Sequence, residues 1–389
     1  MRKKLKAFSY HLLHITSLVM VTTTKTEPRT ARKTKASAKS SSKAAVKKSS
    51  ALEKLPQPKT LITGGTGFLG AHLVRQLVAD GAKNLRVLTT HAPAWLAELG
   101  VEAFEGSITN AEDVKRAVGG VAGIYHLAGR VSREETEARA MYAVHVDGTR
   151  LLCDAARAAG VKTIVMASTS GTIAVTNDKD ILPGEDWPPP IDIISRWPYY
   201  ASKFYQERVA LEHFGGTGAR LVIMNPSLLL GPGDERLSST KMILDFIARK
   251  INATPSGGLS FVDVRDAAAA FRAAMQRGAH GERYLLGAAN WTFDKFFGRL
   301  ERLTKIAAPR FSLPSKLAVT GAQVVHALYK HWKLAPPVQP AEVEMAEYFW
   351  YLDSSKAEQE LGFQPRDPGE TLQETIVYVR ENFLGGDAF

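Results

Sequence analysis

Thr63-Gly64-Gly65-Thr66-Gly67-Phe68-Leu69-Gly70 sets Gly64, Gly67 and Gly70 three residues apart, between the apolar run Thr60-Leu61-Ile62 and a helical pattern from Phe68 to Ala79. A glycine turn from strand into helix is the context in which this spacing has a physical meaning. Gly64 and Gly67 allow a tight turn and close approach of backbone to a pyrophosphate. Gly70 lets the helix pack closely, and the helix start at Phe68 and Leu69 offers unpaired N–H groups to an anion. The turn therefore predicts a dinucleotide site, and it commits the chain to open with a strand, turn and helix.

The rest of the body continues that alternation. Apolar runs at Leu85–Thr89, 101–104, 123–127, Thr163–Ala167 and 221–224 are separated by helical spacing over 68–79, 111–118, 138–159 and 199–214. Short apolar runs alternating with helices predict an α/β fold, a doubly wound parallel Rossmann sheet covered on both faces. Such sheets bind ligands beyond the carboxyl ends of their strands, which places Thr89 and Ala128 at the cofactor. After Asn225-Pro226 the pattern shifts to longer loops, helices and isolated short strands, with Ala335-Pro336-Pro337 as a connection. The expected organisation is a basic tail over 1–58, a dinucleotide-binding domain over 59–230, and a smaller, mostly helical substrate domain over 231–389. Residues 260–276 return to pack on the sheet. No internal repeat is apparent.

The net charge of +11 raises the prospect of a nucleic-acid or membrane partner until it is mapped. Residues 1–59 hold 15 Lys and Arg against 2 acidic residues, whereas the other 330 hold 35 against 37. The excess belongs to the tail, and no specific nucleic-acid partner is expected. From Thr22 to Ser50 the tail is Lys, Ala, Ser and Thr, too poor in large apolar residues to offset the entropy of ordering, so disorder is expected there. Residues 1–21 resemble a secretory signal superficially, but Ser9, His11, His14 and Ser17 interrupt the apolar run and no small-residue cleavage site follows. Initiation at Met20 would remove this segment. With Cys153 the single cysteine, no intrachain disulfide is possible, which fits a reducing, cytoplasmic setting. Leu317 to Leu334 mixes apolar residues with His326, Lys330, His331 and Lys333; a helix packed on the body is expected rather than one lying on a membrane.

Tyr199 and Lys203 stand four apart in Trp197-Pro198-Tyr199-Tyr200-Ala201-Ser202-Lys203, with Pro198 placed to begin a helix. That spacing puts both on one helix face. An ammonium beside a phenol favours the phenolate, so Lys203 is expected to draw the Tyr199 pKa down from about 10. Tyr199 then becomes a candidate for passing a proton to or from a substrate oxygen while hydride moves at a nicotinamide. Tyr200 is a second choice. Ser168-Thr169-Ser170, at the end of the fifth strand, offers hydroxyls to hold the substrate oxygen; a turn or helix cap would account for them equally. The second strand ends Thr89-Thr90-His91, without the acid that would repel a 2′-phosphate or an arginine that would bind one. The preference leans slightly to NADP over NAD.

Together these marks resemble the extended short-chain dehydrogenase/reductase family, that is, the NAD-dependent epimerase/dehydratase superfamily. Beyond the glycine turn and Y-x-x-x-K, the resemblance extends through Asn225-Pro226-Ser227 to Gly231-Pro232-Gly233, Phe261-Val262-Asp263-Val264-Arg265-Asp266, Asp353-Ser354-Ser355-Lys356-Ala357 and Leu361-Gly362-Phe363, spanning about residues 59–384. It implies Thr169, Tyr199 and Lys203 as the catalytic set, with Lys203 also on the cofactor ribose, and cofactor contacts at Ser107, Ile108, Asn225 and Pro226. A homodimer would suit the family. Three positions depart from its pattern. His145 replaces the usual Asn of the central helix, Ser107 replaces an acid after the third strand, and Asn225-Pro226 replaces the Arg-Pro common in sugar-nucleotide enzymes. The last points to the dihydroflavonol-reductase or hydroxysteroid-dehydrogenase branch.

The function read from these residues is an NAD(P)-dependent oxidoreductase acting on a carbonyl or secondary alcohol of a small, fairly apolar substrate. The alternatives are a sugar-nucleotide epimerase or dehydratase with tightly held NAD, and a non-catalytic NAD(P)-binding regulator. His126 and His145 have no companion ligands at metal-binding spacing, so no metal is expected.

Overall fold

The computed structural model describes residues 58–216, 218–311, 320 and 340–385. The basic tail and nearly all of Leu317–Leu334 lie outside them. Among the described residues, seven strands form one parallel sheet: β1 (Lys59–Thr63), β2 (Leu85–Thr89), β3 (Glu102–Glu105), β4 (Val121–His126), β5 (Thr163–Ala167), β6 (Arg220–Pro226) and β9 (Arg283–Leu286). Their spatial order is β3-β2-β1-β4-β5-β6-β9.

Alternation along the strands explains why both faces are covered. Ile62, Val87, Val165, Val222 and Met224 face a core that includes Leu69, Leu73 and Val74 of the helix Phe68–Ala79 and Ala267, Phe271 and Ala274 of the helix Val264–Arg277. Their neighbours Leu61, Leu88, Ile164, Leu221 and Ile223 face the opposite core, with Val114, Leu152, Ala156 and Phe214. Both sets are buried, so each strand reads as a continuous apolar run. β1 has β2 on one side and β4 on the other. The chain winds in opposite directions from it, which opens a crevice at the strand ends.

A second sheet went unread in the sequence. β8 (Gly258–Asp263) pairs with β7 (Leu228–Leu230), β10 (Ala289–Thr292) and β11 (Phe349–Trp350). Three of its strands, at two to four residues, are too short to display a period. Their apolar side packs Phe261 and Trp291 with Phe246, Phe296, Phe297, Leu372 and Ile376. The pattern over 138–159 also conceals a break: helix Ala138–Tyr142 passes through a π turn, Ala143–Asp147, before helix Gly148–Ala158. Such turns often occur at functional sites, and this one carries His145.

Candidate functional site

The first strand delivers the glycine turn to the crevice. Gly64 has φ +70°, and a Cβ there would lie 2.6 Å from the Leu127 carbonyl and 2.7 Å from the Ala128 nitrogen. A Cβ on Gly70 would lie 2.1 Å from the Gly64 oxygen. These two positions accept only glycine because backbone already fills the space. At Gly67 the nearest atom to such a Cβ is 3.4 Å away; that side of the turn is open. The helix Phe68–Ala79 starts on Gly67 with no side-chain cap, whereas Asn110 caps the helix Ala111–Val118 through two N–H groups. An uncapped helix start beside a glycine cradle has the donors and the room for a pyrophosphate.

The other residues expected at the cofactor fall around this turn in different ways. Thr89 ends β2, donates from Oγ1 to the His91 carbonyl at 2.7 Å, and approaches Thr66 Oγ1 at 3.4 Å. Ala128 donates its N–H to Thr63 Oγ1 at 3.2 Å. Ser107 closes a small turn, its N–H on Asp113 Oδ2 at 3.0 Å and its hydroxyl 2.8 Å from Thr109 Oγ1. That N–H bond, together with Arg116, holds the Asp113 carboxyl below its usual range. Ile108 turns into the core and would meet a Cβ on Gly148 at 3.1 Å. Pro226 closes β6, and Asn225 before it turns its amide away from the turn, donating to Thr169 O at 3.0 Å, Thr172 Oγ1 at 3.1 Å and Glu207 Oε1 at 2.8 Å.

The helix Pro198–Phe214 carries the second half of the site, with Pro198 in its first turn. Tyr199 is half-buried, with the Thr169 hydroxyl near its phenol. Burial pushes that phenol above its ordinary value, Tyr200 adds to the rise, and Arg133 and Thr169 oppose it. The expected depression by Lys203 is absent. The ammonium is engaged elsewhere, donating to Ala167 O at 2.9 Å and to Gln206 Oε1 at 2.9 Å. Burial lowers Lys203 to about 8, against the pull of Glu207. Tyr200, the second choice, is wedged between Gly171 and Trp350: its ring stacks on Trp350 at 4.7 Å, and a Cβ on Gly171 would meet it at 2.3 Å.

His145 is legible down to its tautomer. Nε2 accepts the Arg130 N–H at 3.0 Å, so in the neutral ring Nδ1 carries the proton and donates to Ser202 Oγ at 2.8 Å. Ser202 in turn donates to the Tyr199 carbonyl at 2.9 Å. Burial, with the charge of Lys203 second, lowers His145 to about 2 and keeps it neutral. The same causes lower His126 to about 3.

Sequence reasoning passed over Gln206 and Glu207. Glu207 is buried one turn beyond Lys203, accepts from Thr172 Oγ1 at 2.9 Å and from the Ser168 hydroxyl, and pairs with Arg283 at 3.3 Å. A Gln-Glu pair in a helix normally reads as a solvated face. The available signal was that Glu207 repeats the Tyr199-Lys203 interval of four. Ser168 and Thr169 thus divide: one hydroxyl serves the buried carboxylate, while the other caps a short turn by accepting the Gly171 N–H at 3.4 Å, beside the tyrosine. Among the described residues no cluster of His, Cys, Asp and Glu could hold a metal, and no helix is long and apolar enough to cross a membrane.

The chain is similar to known proteins. The model of the NAD dependent epimerase/dehydratase family matches residues 60–287. A protein of Synechocystis sp., provisionally named a dihydroflavonol 4-reductase, is 32% identical over 82% of this chain and 94% of its own length. Sterol demethylase protein B of Methylococcus capsulatus is 31% identical over 83% of this chain and 98% of its own. The crystal structure of gox2253 superposes with a TM-score of 0.72 at 28% identity, covering 84% of this chain and 99% of that one. The chain therefore belongs to the NAD-dependent epimerase/dehydratase family of extended short-chain dehydrogenases/reductases, and it is an NAD(P)-dependent enzyme.

Proposed function

We propose that the protein is an oxidoreductase that interconverts a carbonyl and a secondary alcohol on a small, fairly apolar substrate, with Tyr199 as the general acid/base. A bound nicotinamide supplies or accepts the hydride. The observation that carries the reading is the Tyr199 phenol, set near the Thr169 hydroxyl at the carboxyl edge of the sheet that also bears the glycine turn. Burial keeps that phenol protonated, the state needed to give a proton to an oxygen gaining negative charge. Thr169 orients both the phenol and the substrate oxygen, and Lys203 grips the cofactor ribose. Exposed apolar side chains at Val131, Leu182, Trp187 and Ile191 favour an apolar substrate.

Tyr199→Phe keeps the ring and removes the proton carrier. Turnover should fall by about 10²–10⁴ with an unchanged melting temperature; near wild-type turnover would end the proposal. The lack of acid or arginine at Thr89-Thr90 supports a slight preference for NADP, which comparison of NADPH and NADH dissociation constants decides. Transient oxidation by a tightly held NAD, as in an epimerase or dehydratase, is favoured instead if the denatured protein releases NAD in stoichiometric amount.

A further inference from the structure

We propose that Gln206 is a positioning residue that sets the Lys203 ammonium relative to the dinucleotide turn, as the first link of a buried chain through Thr149 and His126 to Thr63. The proposal rests on the reading of Lys203 as a cofactor-binding residue.

The chain is continuous and closed to solvent. Gln206 Oε1 accepts from Lys203 Nζ at 2.9 Å, and Gln206 Nε2 donates to Thr149 Oγ1 at 3.0 Å. Thr149 Oγ1 lies 2.8 Å from His126 Nε2, and His126 Nδ1 lies 2.7 Å from Thr63 Oγ1. Gln206, Thr149, His126 and Thr63 are all completely buried. Four polar side chains in a core are costly unless every one is paired, and here every one is. Thr63 also accepts the Ala128 N–H, the nitrogen that would crowd a Cβ on Gly64. The chain thus ends at the backbone contact that shapes the glycine turn.

Its first link constrains the lysine in two ways. The Thr149 bond fixes which end of the amide faces Lys203, because a flipped Gln206 would turn its NH₂ group on the ammonium. Of the three ammonium protons, Ala167 O from β5 and Gln206 Oε1 engage two. The tetrahedral geometry of the nitrogen then sets the direction of the third. A lysine on a four-carbon stem loses much freedom when held at two points, and here that loss occurs on folding instead of on cofactor binding. Gln206 offers a neutral acceptor, so the ammonium is anchored without being neutralised by a carboxylate.

The groups coupled to Lys203 are His126 from β4, His145 from the π turn, and Glu207 from its own helix; Tyr199, one turn earlier, is shifted by other groups. The two histidines are lowered to about 3 and about 2, and the tyrosine is raised. Lys203, at about 8, titrates between them.

The test is titration of the full chain with NADPH and with NADH, followed by intrinsic fluorescence, from pH 7 to 10. Wild-type affinity should weaken as pH rises through the lysine. Gln206→Met removes the acceptor and should move that midpoint down by about one unit, weakening binding by about fivefold at pH 8 and about tenfold by pH 9. Gln206→Glu should move it up. Thr149→Val should shift it in the direction of Gln206→Met by a smaller amount, and it carries the test alongside Gln206→Glu if the Met variant does not fold. Midpoints that stay in place, or that shift the same way in the Met and Glu variants, overturn the proposal. Lys203→Met separates the two levels: if it keeps the wild-type pH dependence, the reading of Lys203 fails. If it loses that dependence while the Gln206 variants match wild type, only the role of Gln206 fails.

Discussion

The helix Pro198–Phe214 carries two polar networks on one face, a lysine side centred on Lys203 and, one turn on, a glutamate side centred on Glu207, built on different terms. On the lysine side, Lys203, Gln206, Thr149 and His126 hydrogen-bond in sequence, and His145 bonds separately to Ser202. On the glutamate side, Glu207 collects Ser168, Thr172, Asn225 and Arg283. Beyond it, among the described residues, Asn225 Oδ1, Ser227 Oγ and Ser260 Oγ are buried with no partner. An unpaired buried polar atom costs about 1–3 kcal/mol. The polar side chains that hold Lys203 are all paired; the side that leads to the second sheet carries these three unsatisfied atoms. The difference teaches that pairing is complete where the lysine is held and incomplete toward the second sheet.

The comparison can be broken most strongly at Glu207. Glu207→Ala leaves the Arg283 charge without its carboxylate and takes one of three acceptors from the Asn225 amide, and it should lower unfolding free energy by about 3–5 kcal/mol in denaturant titration. A loss below about 1 kcal/mol would mean that the glutamate side contributes little to stability.

Acid sharpens the lysine side. His126 and His145 stay neutral in the fold to about 3 and about 2, and His72 is lowered too, while the unfolded chain takes up protons through about 6.5. Their native pKa values lie below the unfolded ones, so stability is whole above about pH 6.5 and is lost as pH falls toward the native values. Each histidine adds about 1.4 kcal/mol per pH unit to that slope. His145→Asn should remove about 1 kcal/mol of the difference when unfolding is compared at pH 6.5 and 5.5; an unchanged slope would show that His145 is protonated in the native state.

The smallest effect is expected at Ser260. Ser260→Ala deletes a hydroxyl without a partner and should leave the melting temperature unchanged or slightly raised. A drop worth more than about 1 kcal/mol would place a hydrogen bond at that hydroxyl and weaken the contrast between the two sides.

Much of this was legible along the chain, for identifiable reasons. Leu61 and Ile62 point to opposite cores, so β1 reads as an unbroken apolar run between turns. Tyr199 and Lys203 were visible because a helix turns a spacing of four into adjacency. Gln206 was not, since a glutamine inside a helix gives no sign of whether it faces water or a lysine. The π turn at Ala143–Asp147 was hidden for a related reason: one extra residue in a turn scarcely disturbs a helical pattern.

By itself the sequence determined the parallel sheet, the glycine turn and the tyrosine–lysine helix, because each rests on local periodicity or on a residue type that the backbone demands. Tertiary structure alone decided that Lys203 bonds to Gln206 and Ala167 instead of leaning on Tyr199, that His145 is neutral with its proton on Nδ1, and that Glu207 is buried on Arg283. Those are consequences of burial and of partners as far as 76 residues apart in the chain, Glu207 and Arg283, and desolvation is a property of the packed molecule that no short window of sequence contains.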